Sequence, residues 1–591
     1  MLHNSKIDPE KVSDLENGFS GTTSSDSSSS TSSSSTDHQQ QQQQQHHTRL
    51  ASTWTNFRDS FKPPLHNEKG ETREQAPPAL KQTMKKRQLQ MIALGGCVGS
   101  GLLVASGLAL QTGGPASLLI AWTIVSSFLY CTMQSLAELS SSYPVSGSFA
   151  TYSCQFIDPS WGFAMGWNYS LFWVVVLPLE LVAAAMTLKY WNTGSFPTVA
   201  FVAIFYALIL LLNLFGGARA FGETEFWASL IKLLGVVGFN ILAVVLICGG
   251  GNQGFIGASR FRDLPFASGA KGVISVLLTA TYSLAGTELV GLTSAEAAGD
   301  ARKIMPKAIK QVLWRILIFY LATLTLLGFL VSARDPQLIS GSSKSSTSPF
   351  VIAIEQGGVK GLPSVFNVVI LVALLSIGNS AVYGFSRTLL ALAQQGLAPK
   401  VFNYVDRKGR PLAAIAVSFI VGLLAFVSAS EYESEIFEWL VSLSGLSTLF
   451  TWFSINFALI RLRAALKRQG KSTEDLPYRS KTGVWGAYYG AIMNFTVLAL
   501  QFWLALYPVG KKTPSATVFF KTYLACIIVI AFYLVHKVWT KNWIILIKAE
   551  DIDLQKGKSD LDLDLMRQEM AEEKEIRRRQ PLYKKVCSFW C

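Results

Sequence analysis

The sequence predicts an all-α polytopic membrane protein with about twelve transmembrane helices. Composition is the first reason: half of the 591 residues are hydrophobic and 15% are charged, a balance that suits lipid better than water. Apolar runs are the second. Windows of roughly 20 residues select segments near 89–111, 116–138, 162–187, 197–216, 226–249, 271–293, 311–332, 363–386, 412–430, 436–460, 484–508 and 519–539. The third is that two of these runs, the first and the sixth, are interrupted near their middles by small and polar residues.

The same composition narrows the function. A formal charge of +14 could suit nucleic acid, but the basic residues fall mainly in alternate loops, as cytoplasmic loops of membrane proteins do, so no nucleic-acid partner is expected. The seven cysteines sit mostly inside spans and lack the spacing of a zinc site or a disulfide framework, so no metal or other cofactor is expected. There is no phosphate loop, no His-Glu-x-x-His and no Gly-x-Ser-x-Gly, which leaves a built-in ATPase or an enzymatic reaction without support.

Residues 1–84 are rich in Ser and Thr and carry a glutamine run, Gln39 to Gln45, and the pair Pro77 and Pro78. Such a segment cannot bury a core and reads as a disordered cytoplasmic tail. It lacks an apolar stretch that could be a cleavable signal peptide, so the first span is expected to serve as the targeting signal. Lys81, Lys85, Lys86 and Arg87 directly before that span place the N-terminus in the cytoplasm, and an even number of spans returns the C-terminus there. A transmembrane domain is thus expected over 85–540 and a second, charged cytoplasmic tail over 541–591, with helical character from Met566 to Arg579. The terminal Cys587-Ser-Phe-Trp-Cys591 is no prenylation box, because Ser588 stands fourth from the end; the last cysteine is left as a site for palmitoylation.

Span one contains Gly95-Gly-Cys-Val-Gly-Ser-Gly101. Each interior glycine costs a helix roughly 1 kcal/mol relative to alanine. Backbone freed by unwinding in a bilayer must be buried in protein or face a watery cavity. N–H groups at the start of a half-helix, with the Ser100 hydroxyl beside them, suit a small carboxylate. Gly95 to Gly99 is also a small-xxx-small spacing, which suits close helix packing, and this segment alone does not choose between the two.

Ionisable residues inside apolar runs are the next signal. Glu180 follows Pro178 in span three, where a carboxylate costs at least roughly 2.5 kcal/mol unless it faces a partner or a cavity. It reads as a functional-site residue, expected to sort cationic from neutral side chains of a substrate, with a structural interhelical hydrogen bond as the alternative. Lys232 lies about six residues, or roughly 9 Å, inside span five. Burial disfavours an ammonium, which makes Lys232 a proton-coupling candidate; simple snorkelling is the alternative. Span six holds Tyr282, Ser283, Leu284, Ala285, Gly286, Thr287 and Glu288 where its helix should weaken. Interrupted helices in matching positions of two five-span blocks point to an inverted-repeat transporter with a site at the bilayer midplane. The polar residues of span eight, Ser376, Asn379, Ser380 and Ser386, read as interhelical hydrogen bonding. The stretch Ser140 to Asp158 reads as a re-entrant or surface segment.

Several motifs in order resemble the fungal amino-acid permeases of the amino acid-polyamine-organocation superfamily. They are Met91-Ile-Ala-Leu-Gly-Gly-Cys-Val-Gly-Ser-Gly101, Gly113-Gly-Pro-Ala116 with Ala137-Glu138 and Pro144, and Lys303-Ile-Met-Pro-Lys-Ala308 before Trp314-Arg315. Gly378-Asn-Ser380, Ser386-Arg387, Val405-Asp-Arg-Lys-Gly-Arg-Pro411 and Thr482-Gly-Val-Trp-Gly486 complete the set. The resemblance spans roughly residues 81–591, and Phe589-Trp-Cys591 with the acidic tail looks most like the general amino-acid permease branch.

That resemblance implies a leucine-transporter-like core, a 5+5 inverted repeat plus two helices, working as a proton-coupled amino-acid importer of broad specificity in the plasma membrane. By position, Cys97, Gly99, Ser100 and Gly101 would hold the substrate carboxylate, and carbonyls near Cys97 and around Tyr282 to Ala285 would receive the amino group. Tyr282 would stand at an aromatic gate, Glu288 at an acidic position of the unwound sixth span, and Lys232 where sodium-coupled relatives hold a cation. The tails, with Lys6, Lys11, Lys62 and Lys69, would meet ubiquitin ligase machinery. The partners expected are amino acids, protons, the lipid bilayer and those ligases. An amino-acid sensor that binds without transporting is the runner-up, and a polyamine or other cation exchanger is third.

Overall fold

The computed structural model describes residues 59–60, 86–96, 98–145, 147–191, 197–293, 312, 314–339, 348–429, 433–510 and 513–558, with scattered positions from 568 to 581. The chain divides into two compact units, Met1–Lys62 and Pro63–Cys591. Only Asp59 and Ser60 are described in the first. Cys97, the N-terminal lysines, the Lys303 to Ala308 motif and the last ten residues lie outside the described residues.

Every regular element among the described residues is helical. The first span comes in pieces: α1, Lys86–Gly95; α2, Ser100–Leu103; and α3, Ala105–Gly113. Next come α4, Pro115–Ser142, a short α5, Phe149–Phe156, and α6, Pro159–Leu188. Asp158 caps α6 by accepting from Trp161 N at 3.0 Å, and Pro159 follows where a missing N–H does no harm. Helices α7, Thr198–Phe215, and α8, Ala218–Ile247, complete the first block. The sixth span is again two pieces, α9, Gly269–Leu284, and α10, Leu289–Thr293. A π-helical turn, Ile316–Ala322, leads into α11, Thr323–Leu330; then follow α12, Pro349–Gln356, α13, Leu362–Gln394, and α14, Leu412–Gly422. Three long helices end the body: α15, Glu433–Arg468; α16, Gly483–Leu506; and α17, Ala516–Thr540. Among the described residues, eight helices are long and apolar enough to cross a membrane, and three shorter apolar ones, Val199–Phe215, Ile318–Leu330 and Leu412–Phe426, join them. With the broken first span they make the twelve segments that hydropathy predicts.

The core is built round α6 and α13, whose contact is the most extensive among the described residues. Their facing surfaces are small or apolar where they meet: a Cβ at Gly384 would fall 2.7 Å from the Trp173 ring. Opposite faces of the outer helices carry rows of exposed apolar side chains, such as Ile204, Leu208 and Leu211 on α7 and Ile527, Ile530, Leu534 and Val538 on α17. On a protein in water such rows would be a liability; here they are the lipid face.

The stretch read as re-entrant or superficial is α5, with Phe149, Tyr152 and Phe156 buried against the body. Tyr152 donates to the Tyr143 carbonyl at 2.7 Å, which pins the turn before the helix. The chain after α17 returns to this place. Ile552 and Leu554 are buried, Gln155 Nε2 donates to the Asp553 and Lys556 carbonyls at 2.8 and 2.9 Å, and Gln469 Nε2 donates to the Ile552 carbonyl at 2.8 Å.

Candidate functional site

Both predicted interruptions are present. Between α1 and α2 the described residues Gly96, Val98 and Gly99 are not helical, and between α9 and α10 the helix is lost over 285–288. Ala285 is extended (φ −61°, ψ 156°) and Gly286 sits at φ 83°, a conformation that a glycine adopts without strain. A Cβ on Gly101 would fall 2.5 Å from Ser283 Cα, so the two breaks touch through backbone. The two readings of the glycine stretch thus divide between residues. Gly96, Val98 and Gly99 leave the helix, whereas Gly95 and Gly101 are the close approaches, Gly95 to Ser229 Cα on α8 at 2.8 Å from a built Cβ.

Unwinding frees backbone groups, and buried polar groups need partners. At the first break, Lys232 Nζ donates to the Gly95 carbonyl at 3.0 Å. At the second, the Tyr320 hydroxyl donates to the Ser283 carbonyl at 3.0 Å, Thr287 Oγ1 to the Leu284 carbonyl at 2.7 Å, and Gly286 N–H to Glu288 Oε1 at 3.2 Å. Arg315 Nη2 reaches Thr287 Oγ1 at 2.7 Å. The π-helical turn after Arg315 presents Tyr320 to this segment.

Three side chains converge between the breaks. Ser100 Oγ donates to Glu180 Oε1 at 2.6 Å and lies 2.6 Å from the Tyr282 hydroxyl. Tyr282 in turn donates to the same carboxylate oxygen at 3.1 Å. All three are buried, and Glu180 Oε2 has no hydrogen-bond partner among the described residues. With Gly96, Gly99, Gly101 and Ala285 they line a cavity of about 20 Å³, closed on the other side by Phe172, Trp173, Val176 and Ile377. That is room for a water molecule. The first turn of α2 adds N–H groups at Ser100, Gly101 and Leu102 that have no acceptor within the helix. Backbone N–H groups, a buried carboxylate and an apolar wall thus meet in one small chamber.

The amino acid permease family profile matches residues 88–548. The chain belongs to the amino acid permease family. It is 68% identical over 546 residues to the amino-acid permease GAP6 of Candida albicans, covering 91% of this chain and 95% of that protein. Identity to the general amino-acid permease GAP2 of Candida albicans is 54%, with 87% of each chain covered. To the general amino-acid permease GAP1 of Saccharomyces cerevisiae it is 48%, with 92% of each covered. It is thus a multi-pass amino-acid transporter and not an enzyme.

Within this permease the predicted residues are not all in one place. Gly99, Ser100, Gly101, Glu180, Tyr282 and Ala285 line the chamber. Ser283 and Leu284 end α9, and Gly286 and Thr287 form the second break itself. Glu288 stands behind it, accepting from Gly286 N–H and, at 3.1 Å, from Trp452 Nε1, and is not among the residues that line the chamber. Lys232 faces the first break from α8. Sequence reasoning missed the wall of α6, although Val176 and Trp173 lie four and seven residues before Glu180 and so share its helix face. It also missed Glu225, buried seven residues before Lys232: Ser376 Oγ donates to its Oε2 at 2.8 Å.

Proposed function

We propose that this permease imports amino acids of broad range across the plasma membrane by proton symport, with both termini in the cytoplasm. The observation that carries the reading is the meeting of two broken helices at Ser100, Glu180 and Tyr282, with an ammonium on the carbonyl that ends the first half-helix. The backbone N–H groups at Ser100, Gly101 and Leu102 hold the substrate carboxylate. Glu180 and the carbonyls of both breaks receive the amino group, and Trp173, Phe172, Val176 and Ile377 meet the side chain. Glu180 shares a hydrogen bond with Ser100, so it belongs with the groups common to every substrate rather than with side-chain sorting. The Tyr282 hydroxyl, bridging Ser100 and Glu180, closes the chamber, and an amino acid enters when the walls part. Lys232 couples the proton: charged, it ties α8 to the Gly95 carbonyl; neutral, it lets go. Two relatives named general amino-acid permeases support a broad range. Ubiquitin ligase machinery acting on the tail lysines sets abundance.

The test is uptake of a panel of labelled amino acids in cells lacking their own permeases, at two external pH values. Uptake of several classes, faster at acidic pH and lost with a protonophore, is expected. Uptake that depends on sodium and resists the protonophore contradicts proton symport, and surface binding without uptake makes the chain a sensor.

A further inference from the structure

Lys232 does not end at the Gly95 carbonyl. Its Nζ also donates to Ser376 Oγ at 2.8 Å, and Ser376 Oγ donates to Glu225 Oε2 at 2.8 Å. A hydroxyl has one proton to give, so the order of donors is fixed along this row: ammonium to hydroxyl, hydroxyl to carboxylate. All three side chains are 3% exposed or less. Glu225 Oε1 has no hydrogen-bond partner among the described residues, while Asn379 and Ser380 face the carboxylate. Seven residues separate Glu225 from Lys232 on α8, so it stands roughly 10 Å nearer the helix N-terminus. At that end lies a second cavity of about 10 Å³, lined by Thr224, Asn379, Asn213, Tyr383, Arg387 and others. Asn379 therefore stands both against the Glu225 carboxylate and in the wall of that cavity.

We propose that Glu225 is the proton acceptor of Lys232, through the Ser376 hydroxyl, and releases the proton into the cavity at the N-terminal end of α8. This rests on the reading of Lys232 as the coupling residue. The step balances without a co-reactant. An N–H bond of the ammonium breaks as the Ser376 oxygen takes that proton. The original Ser376 O–H breaks as Glu225 Oε2–H forms, leaving a neutral amine and a neutral carboxylic acid. The ion pair is thus discharged inside the protein, where separated charge is costly, and Lys232 loosens its hold on Gly95 before any proton leaves. Release from Glu225 then resets the acid. Among the described residues, few charged groups face this row. On α8 they are Lys232 and Glu225 themselves, and α6 presents Glu180, which acts on Lys232 electrostatically. From α13 come the neutral Ser376, Asn379 and Ser380, and from α1 the Gly95 carbonyl. Arg387 and Arg410 stand beyond, in the cavity wall.

The experiment uses the full chain in proteoliposomes, with the best transported of labelled leucine, arginine and glutamate. Counterflow exchange, which needs no net proton movement, is compared with accumulation driven by an imposed pH gradient. Glu225→Gln and Ser376→Ala are expected to keep counterflow within about threefold of the parent and to lose accumulation by tenfold or more, on the scale of a lost proton-transfer group. Ser376→Thr, which keeps the hydroxyl, should restore it. A structural role predicts instead that counterflow and accumulation fall together, and that result overturns the proposal. Parent-like accumulation by Glu225→Gln beside its loss in Lys232→Met overturns the relay and leaves the lysine reading standing. Parent-like accumulation by Lys232→Met removes the lysine reading and the relay with it.

Discussion

Ser100 gives its one hydroxyl proton to Glu180 Oε1 and also lies against the Tyr282 hydroxyl. Removing that hydroxyl leaves a buried carboxylate short of a donor. A hydrogen bond to a charged group is worth about 1.5–3 kcal/mol. Ser100→Ala should therefore raise the half-saturating concentration by about one to two orders of magnitude for cationic and neutral substrates alike, which concentration-dependent uptake measures. Glu180→Gln should do the same. A change confined to one class would restore Glu180 to side-chain sorting. Glu180 and Lys232 were legible because an ionisable group inside an apolar run is expensive and so conspicuous. Glu225 was not, since the apolar window of span five opens one residue after it. Tyr320 was hidden too, because only the unwinding of span six creates the carbonyl that it serves.

Among elements, the two breaks were readable from glycine and polar content, but not the way in which they meet. That contact depends on the Gly101 backbone lying on Ser283, a tertiary fact with no local pattern. Gly101→Val therefore acts on packing as well as on the N–H groups. Its surface abundance and thermal stability in detergent should both drop. The turn before α14 offers a second test. Asp406 accepts from Arg410 N–H at 2.7 Å and from Arg410 Nε at 2.6 Å, and Arg410 also donates to the Leu214 carbonyl at the end of α7. Both side chains are about 1% exposed or less. Stranding one member of such a buried pair costs about 3–5 kcal/mol, so Arg410→Ala should lower the melting temperature and the folded yield. A parent-like melting curve would show that the pair does not hold the turn to α7.

Over the whole molecule, the class and number of spans were legible because the bilayer imposes length and polarity on every crossing. The return of the chain after α17 was not. Its charged composition reads as solvated, yet Ile552 and Leu554 are buried, and Lys537 on α17 pairs with Asp158 at 2.9 Å. Backbone N–H groups of Gln555 and Lys556 hold the Asp553 carboxyl below its usual 3.8. A depressed carboxylate contributes stability above its unfolded pKa and loses it as pH falls through the folded one, so this turn should stay protected from hydrogen exchange until pH drops below 3.8. Truncation after residue 558 should leave affinity unchanged, while truncation after residue 541 should lower stability by uncovering α5. The central claim is that one chamber between two broken helices moves an amino acid together with a proton. It is tested most directly by a pH-sensitive dye inside proteoliposomes held at neutral pH in sodium-free buffer. Adding a transported amino acid outside should acidify the lumen in the parent and leave it unchanged in Lys232→Met. Uptake of the amino acid by the parent with no acidification would contradict the account.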